Sequence, residues 1–481
     1  MMQNNKTIEV KSEVLIYWIY CLIVFSAAHG AGIIIDWYNP DDWANSNGYV
    51  WIGTEGRWVP DVIFKYFYEY TLPNSFQLLI ALISYGAIPI ILFKSLYNGK
   101  INTLHFITFA GITLHPYQVD ILNFDIAIAL FPVGLLLCLF IGTYTLNNKL
   151  RLHHYILMAL FTCIVASIYQ ILVLWLFTPL ALYLTSKYNL NNNRIVFEHF
   201  CKILLVFISG TGLYIASSKV YTQLIIKNSS ERLNYDLNSS ADLWAIISEL
   251  PVNIVTHTLA LHPIVSNMYS LFIALLCIVA SLVFIKLMYL YLKDHDYQRL
   301  TRVVVALTLL NLPIYLLVIL LDIVNIGAPS RVYYLNNLGL FLSFFLLYQE
   351  HKIRSGLKLP QYLLQTTKSI IIIGVFIGIF TANKIWFKQK KAYEYDISKV
   401  AAIYSSIVSY GFMNNVDIGA LDIHVVGVLP ATSPVSERFF SIGKTSFNTD
   451  RFTYIFKSRF NLDVIHIRET NIHCKPYPSY E

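Results

Sequence analysis

Long apolar runs separated by short polar or basic stretches recur along this chain. Crossing about 30 Å of hydrocarbon as a helix takes roughly 20 residues. Eleven segments reach or approach that length, near 14–35, 75–97, 104–119, 122–146, 154–169, 170–186, 203–222, 268–291, 303–323, 333–349 and 369–387. Such runs are too uniformly apolar for barrel strands, so backbone hydrogen bonding in lipid requires helices. The third, fifth and sixth are the shortest. Only the polar pair Tyr169-Gln170 separates the fifth from the sixth, so a tilted helix with a re-entrant piece is the alternative, and ten or twelve crossings also fit.

Composition excludes a soluble globular protein. Of the 481 residues, 56% are hydrophobic and 13% charged, with mean hydropathy +0.56. The pattern predicts an all-α polytopic membrane body over 1–387 and a separate tail over 388–481. In the tail, Leu421 to Leu429 and Leu462 to Ile467 alternate and are rich in β-branched residues, so both read as strands. Ala392 to Met413 has helical spacing, with Val400, Ile403, Tyr404 and Ile407 on one face. The tail is therefore expected to be a small α/β domain at the membrane surface.

Lys and Arg in short loops stay on the cytoplasmic side. Lys6, Lys11, Lys94, Lys100, Lys149, Arg151, Lys187, Arg194, Lys202, Lys293, Arg299, Arg302, Lys352, Arg354 and Lys358 all fall on one side of the alternating spans. This places the N-terminus inside. The 36–74 loop, the 223–267 loop and the tail lie outside. Lys388, Lys390 and Lys391 run against the rule, but long domains translocate largely regardless of local charge. The first run shows no cleavage site and reads as an uncleaved anchor.

The net charge of +7 is what positive-inside loops produce, and gives no reason to expect a nucleic-acid partner. Cys21, Cys138, Cys163 and Cys277 lie singly in spans, Cys201 inside and Cys474 in the tail, so no disulfide framework is implied. No Gly-rich phosphate loop, CxxC pair or HExxH helix is present.

Candidate chemistry gathers in the first outside loop. Asp36 to Trp43 and then Glu55-Gly56-Arg57-Trp58 set carboxylates, an arginine and aromatics just beyond the first span. An enzyme that moves a sugar from a lipid phosphate needs a carboxylate to deprotonate the acceptor hydroxyl and a cation for the departing phosphate. Asp41 and Asp42 supply the carboxylates. As phosphate contacts the candidates are Arg57, Lys65 and Arg331, the last in the Gly327 to Tyr334 loop. Against these stand ordinary roles: helix N-capping after Pro40 for the aspartates, and snorkelling beside Trp51 and Trp58 for Arg57. Trp58 to Tyr70, with Val59, Ile63, Tyr66, Phe67 and Tyr70 on one side, reads as an interfacial amphipathic helix. His29, His115, Asp120, Asp125, Gln170, His262 and Asp322 lie in or at the edges of spans, where ionisable groups are costly and hence functional suspects. His115-Pro116 marks a tight outer turn that either is structural or shares in a sugar pocket.

The first span followed by Asp41-Asp42, an aromatic stretch and Gly56-Arg57-Trp58, in a chain of this length with many spans and an outside tail, resembles the O-antigen glucosyltransferases of serotype-converting phages. The motif-level likeness covers residues 36–60, and the rest is a likeness of layout. The resemblance implies a GT-C-like fold in the bacterial inner membrane and inverting transfer of glucose from undecaprenyl-phosphate glucose to a sugar of the lipid-linked O-antigen of lipopolysaccharide, on the periplasmic face. Separate proteins would make and flip the donor. It places the base at Asp42 or Asp41 and substrate contacts at Arg57 and Trp58, with the tail choosing the acceptor. The loop has adjacent aspartates and no DxD pair, so an obligatory divalent metal is not supported. The competing classes are a flippase or carrier of lipid-linked saccharides, which usually needs charges in mid-span, and an O-antigen polymerase, which is expected to carry arginine-rich outer loops.

Overall fold

The computed structural model describes residues 2–34, 56–67, 74–97, 100–122, 127–185, 193–226, 265–323, 336–355, 361–418, 423–426 and 452–467, with a few more between 248 and 261. The helices are α1 (Met2–Ile34), α2 (Trp58–Tyr66), α3 (Asn74–Tyr97), α4 (Thr103–Thr113), α5 (Pro116–Leu122), α6 (Leu130–Asn147), α7 (Leu152–Ile168), α8 (Thr178–Leu184), α9 (Asn193–Tyr221), α10 (Asn267–Lys293), α11 (Tyr297–Ile323), α12 (Asn336–Ser355) and α13 (Gln361–Asn414). Two short strands, β1 (Ile423–Val426) and β2 (Val464–Ile467), follow, with α14 (Phe452–Phe460) between them. A 3-10 segment, Gln170–Phe177, leads into α8.

The protein is a helical membrane protein. Among the described residues six helical segments are long and apolar enough to cross a bilayer: Ser12–Gly32, Ser75–Phe93, Leu130–Asn147, Arg194–Leu224, Asn267–Lys293 and Ser369–Asn414. The expectation of eleven spans is thus corrected. The third, fifth and sixth apolar segments fold as helices but fall short: Thr103–Thr113 and Leu152–Ile168 are brief, and Gln170–Leu184 is part 3-10. The tenth gives only Leu338–Glu350 as an apolar helix, while the ninth lies in the 27-residue α11, whose second half has side chains outside those described. Apolar side chains turned outward mark the lipid face, as at Leu271, Leu275, Leu282 and Ile285 along α10.

Helix directions can be read from paired contacts. Tyr17 of α1 meets His105 and Phe106, and further on His29 reaches Thr113, so α1 and α4 run parallel. Ala27 accepts from Asn383 and His29 from Trp386, so α13 also runs with α1. Gly210 packs on Ala159 and Thr162 while Ser217 meets Cys163, making α7 and α9 parallel. Phe131, Cys138 and Gly142 meet Tyr169, Leu172 and Leu176 in turn, so α6 runs with the 3-10 segment and α8.

Close approach explains one glycine. A Cβ on Gly210 would sit 2.4 Å from Thr162 Cβ and 3.0 Å from the Ala159 carbonyl oxygen. Only Gly lets α9 lie this near α7. At one end of the bundle, α10, α11 and α12 are stapled by a buried ion pair. Arg299 Nε donates to Glu350 Oε2 at 3.0 Å and Nη2 to Oε1 at 2.8 Å, and Tyr291 OH donates to Oε2 at 2.6 Å. Glu350 is fully buried.

The chain divides into two compact units, one of residues 1–34 and 51–386 and a second that takes in the residues from 387 on. In the second unit the far half of α13 puts Val400 into a core with Ile455, Phe456, Leu462 and Val464, flanked by Ile403, Tyr404 and Ile407. The helical face read over 392–413 is therefore the packed one. Strands β1 and β2 pair in parallel, Ile423 opposite Val464 and Val426 opposite Ile467. They lie within the two alternating stretches. This single pair is all the β structure among the described residues, less than the expected α/β domain requires.

Replacing Glu350 by Gln leaves the Arg299 charge buried without its counter-ion and should destabilise the protein by about 3 kcal/mol. The pair Arg299→Met with Glu350→Leu should recover most of that loss. Thermal unfolding in detergent checks both; a Glu350→Gln variant melting with the wild type would show that the staple contributes nothing.

Candidate functional site

The end of the first loop folds onto the finishing ends of α7 and α9. Gly56 adopts φ +77°, a left-handed conformation that L side chains rarely take, and a Cβ there would lie 2.7 Å from Tyr214 OH. Its carbonyl accepts from Ser218 Oγ at 3.2 Å. Trp58 Nε1 donates to Ser217 Oγ at 3.1 Å. The loop is thus fastened on both sides of Arg57, whose guanidinium carbon lies 4.7 Å from the centre of the Tyr169 ring. That distance is a cation–π contact, which ties the guanidinium to the Tyr169 ring.

Tyr169 occupies the break between α7 and the 3-10 segment, with φ −161° and ψ 119°. Its ring packs on Phe131 at 4.4 Å between centroids. The next residue, Gln170, donates through Nε2 to Tyr214 OH at 2.7 Å. The polar pair that divides the fifth apolar segment from the sixth therefore serves the same cluster as Gly56 and Arg57.

One turn beyond Arg57, Asp61 is buried and accepts from Tyr221 OH at 2.5 Å. Burial raises its pKa, opposed by the Tyr221 hydrogen bond and the charge of Lys65. Sequence reasoning missed this carboxylate. It had assigned the apolar side of the 58–70 helix, and in the structure Tyr66 and Phe67 on that side are exposed while Pro60, Asp61 and Phe64 are buried. In an interfacial helix the apolar side faces lipid and the polar one faces protein, so an acidic residue opposite Ile63 and Phe67 was the available signal. Nothing in the sequence announced Tyr221 or Ser217.

The other expected site residues are distributed as follows. Lys65 is exposed on α2, its Nζ 5.4 Å from the Tyr66 ring centre, outside the cluster. Asp41, Asp42 and Arg331 lie outside the described residues, as do Asp125 and His262, and the Asp322 side chain. His115 belongs to a second cluster at the break between α4 and α5. There the Thr113 carbonyl is served by His29 Nε2 at 2.7 Å, while His29 Nδ1 accepts from Trp386 Nε1 at 3.2 Å. Both nitrogens of His29 are used, which makes it structural. Asp120 is wholly buried on α5. No group of three His, Cys, Asp or Glu suited to a metal ion occurs among the described residues.

Chemically, the α2 cluster offers a cation, a carboxylate whose pKa burial raises and several aromatic faces. No family model, curated protein or solved structure matches this chain.

With its folded-state pKa raised, Asp61 favours the protonated form. Its stabilising contribution is full below the ordinary carboxylate pKa and is lost as pH rises through the raised value. Asp61→Asn, neutral at every pH and still able to accept from Tyr221, should melt above the wild type at pH 8 and converge with it towards pH 4. A variant that melts lower by the same margin throughout would show that burial of the charge is not the governing cost.

Proposed function

We propose that this protein is a membrane glycosyltransferase of the polyprenyl-phosphate class, transferring a hexose, glucose by the resemblance, from undecaprenyl-phosphate glucose to a sugar of lipid-linked O-antigen with inversion. The reading assigns transfer to the periplasmic face of the bacterial inner membrane, with the tail choosing the acceptor and other proteins making and flipping the donor. The observation that carries it is the fastening of Gly56-Arg57-Trp58 onto Tyr169, Ser217 and Ser218 beside Asp61. A short motif picked out for phosphate and sugar chemistry is held rigidly among aromatic rings, at helix ends, where a lipid-borne phosphate would arrive.

In this scheme Asp42, or Asp41, takes the proton of the acceptor hydroxyl as its oxygen attacks the anomeric carbon. The bond to the phosphate oxygen breaks on the opposite side and the lipid phosphate leaves with the electron pair. Arg57, in contact with Tyr169, supplies positive charge towards that phosphate, with Arg331 and Lys65 as further cations. Trp58 and His115 contribute to sugar contact.

The test is the mass of the O-antigen repeat in cells with and without the protein, supplied with the proteins that make and flip the donor. A gain of one hexose per repeat is expected. Unchanged mass with altered chain length or export would favour the polymerase or flippase. Arg57→Ala should lower transfer on the order of 100-fold, as for loss of one preorganised charge donor. Arg57→Lys should recover little, because a lysine cannot offer a planar edge while stacked on Tyr169. Asp42→Asn should insert normally yet abolish transfer; normal transfer by both Asp42→Asn and Asp41→Asn would exclude each as an indispensable base.

A further inference from the structure

Residues 108–122 are buried without exception, although they include a helix break and several polar side chains. At this break the backbone amide of Tyr117 donates to His115 Nδ1 at 3.0 Å. With its lone pair on Nδ1 so occupied, a neutral His115 carries its proton on Nε2, and that buried N–H has no hydrogen-bond partner among the described residues. Three residues on, across the first turn of α5, Gln118 donates through Nε2 to Tyr85 OH at 2.7 Å, and its Oε1 is likewise buried without a partner. Both side chains are 0% exposed. A donor and an acceptor left open on one turn each cost roughly 1–3 kcal/mol, and native proteins keep few such groups without a use.

Together the two atoms complement a group that both accepts and donates, as a hydroxyl does. Aromatic rings border the place: His115 lies 4.7 Å from Tyr117 and 6.1 Å from Tyr269, centroid to centroid. We infer that His115 Nε2 and Gln118 Oε1 bind hydroxyls of the donor's sugar ring, while the phosphate is held elsewhere. This rests on the transferase reading and adds to it a sugar-recognising pair.

Binding to the full chain in nanodiscs tests the inference, with polyprenyl-phosphate glucose and bare polyprenyl phosphate as probes. Two hydrogen bonds at about 1 kcal/mol each predict a wild-type preference for the glucosylated lipid of at least about tenfold. Gln118→Leu, close in shape, should bring that preference near unity and leave the affinity for bare polyprenyl phosphate unchanged, with some loss of stability because the Tyr85 hydroxyl loses its buried partner. His115→Phe should do the same to the preference at some cost in stability, because the Tyr117 amide loses its acceptor. Preference persisting in both variants, or absent from the wild type, overturns the inference while leaving transfer itself open. Failure of the wild type to bind either lipid would instead count against the transferase reading.

Discussion

Hydrocarbon supplies no hydrogen-bond partner, so a helix within it cannot be interrupted unless the protein itself serves the freed backbone groups. That constraint organises the polar chemistry of this molecule. Between α4 and α5, Pro116 brings no amide to the helix ladder and the Tyr117 amide turns to His115. The Thr113 carbonyl is then met by His29, which Trp386 holds in the required tautomer. Between α7 and the 3-10 segment, the extended Tyr169 opens a second break, and the Leu172 carbonyl finds the Cys138 thiol at 2.9 Å. Each repair draws polar side chains into an apolar body. The two clusters to which function is assigned here lie beside these breaks, at Tyr169 and at His115.

The clusters differ in character, and the difference suits a divided task. Around Arg57 there is a fixed positive charge stacked on an aromatic ring, beside a carboxylate that burial pushes towards neutrality. Around His115 there are an open N–H and an open amide end. A lipid-linked sugar presents one anionic group and several hydroxyls, and its recognition calls for both environments. Rigidity is supplied locally: by Gly56 and its Ser218 contact at one place, by the Pro116 turn at the other.

Much of the helical body was legible in the sequence, because burial in lipid requires apolar residues on every face and length alone then marks a span. The number of full spans among the described residues is smaller than expected because an apolar run does not reveal an internal break: Thr103–Thr113 and Gln170–Leu184 are as apolar as their neighbours, yet the first starts at a local Asn102 cap and ends where His29 meets the Thr113 carbonyl, and the second is part 3-10. In the tail, the face of Val400 and Tyr404 could be read from spacing, whereas the extent of the β structure could not, since a strand pair depends on partners about 40 residues apart. Arg57 and Trp58 could be found by residue type. Gln118 and Tyr221 could not be ranked above other polar residues, because what distinguishes them is the partner each has or lacks in three dimensions.

The central claim is that the protein itself moves a hexose from a lipid phosphate. Its most direct test is transfer by the purified chain in liposomes, given polyprenyl-phosphate glucose labelled in the sugar and a lipid-linked O-antigen acceptor, with anomeric configuration read by NMR. The account predicts label in the acceptor with inverted configuration and release of unlabelled polyprenyl phosphate. Label that crosses the bilayer while remaining on its original lipid would contradict it and identify a carrier instead.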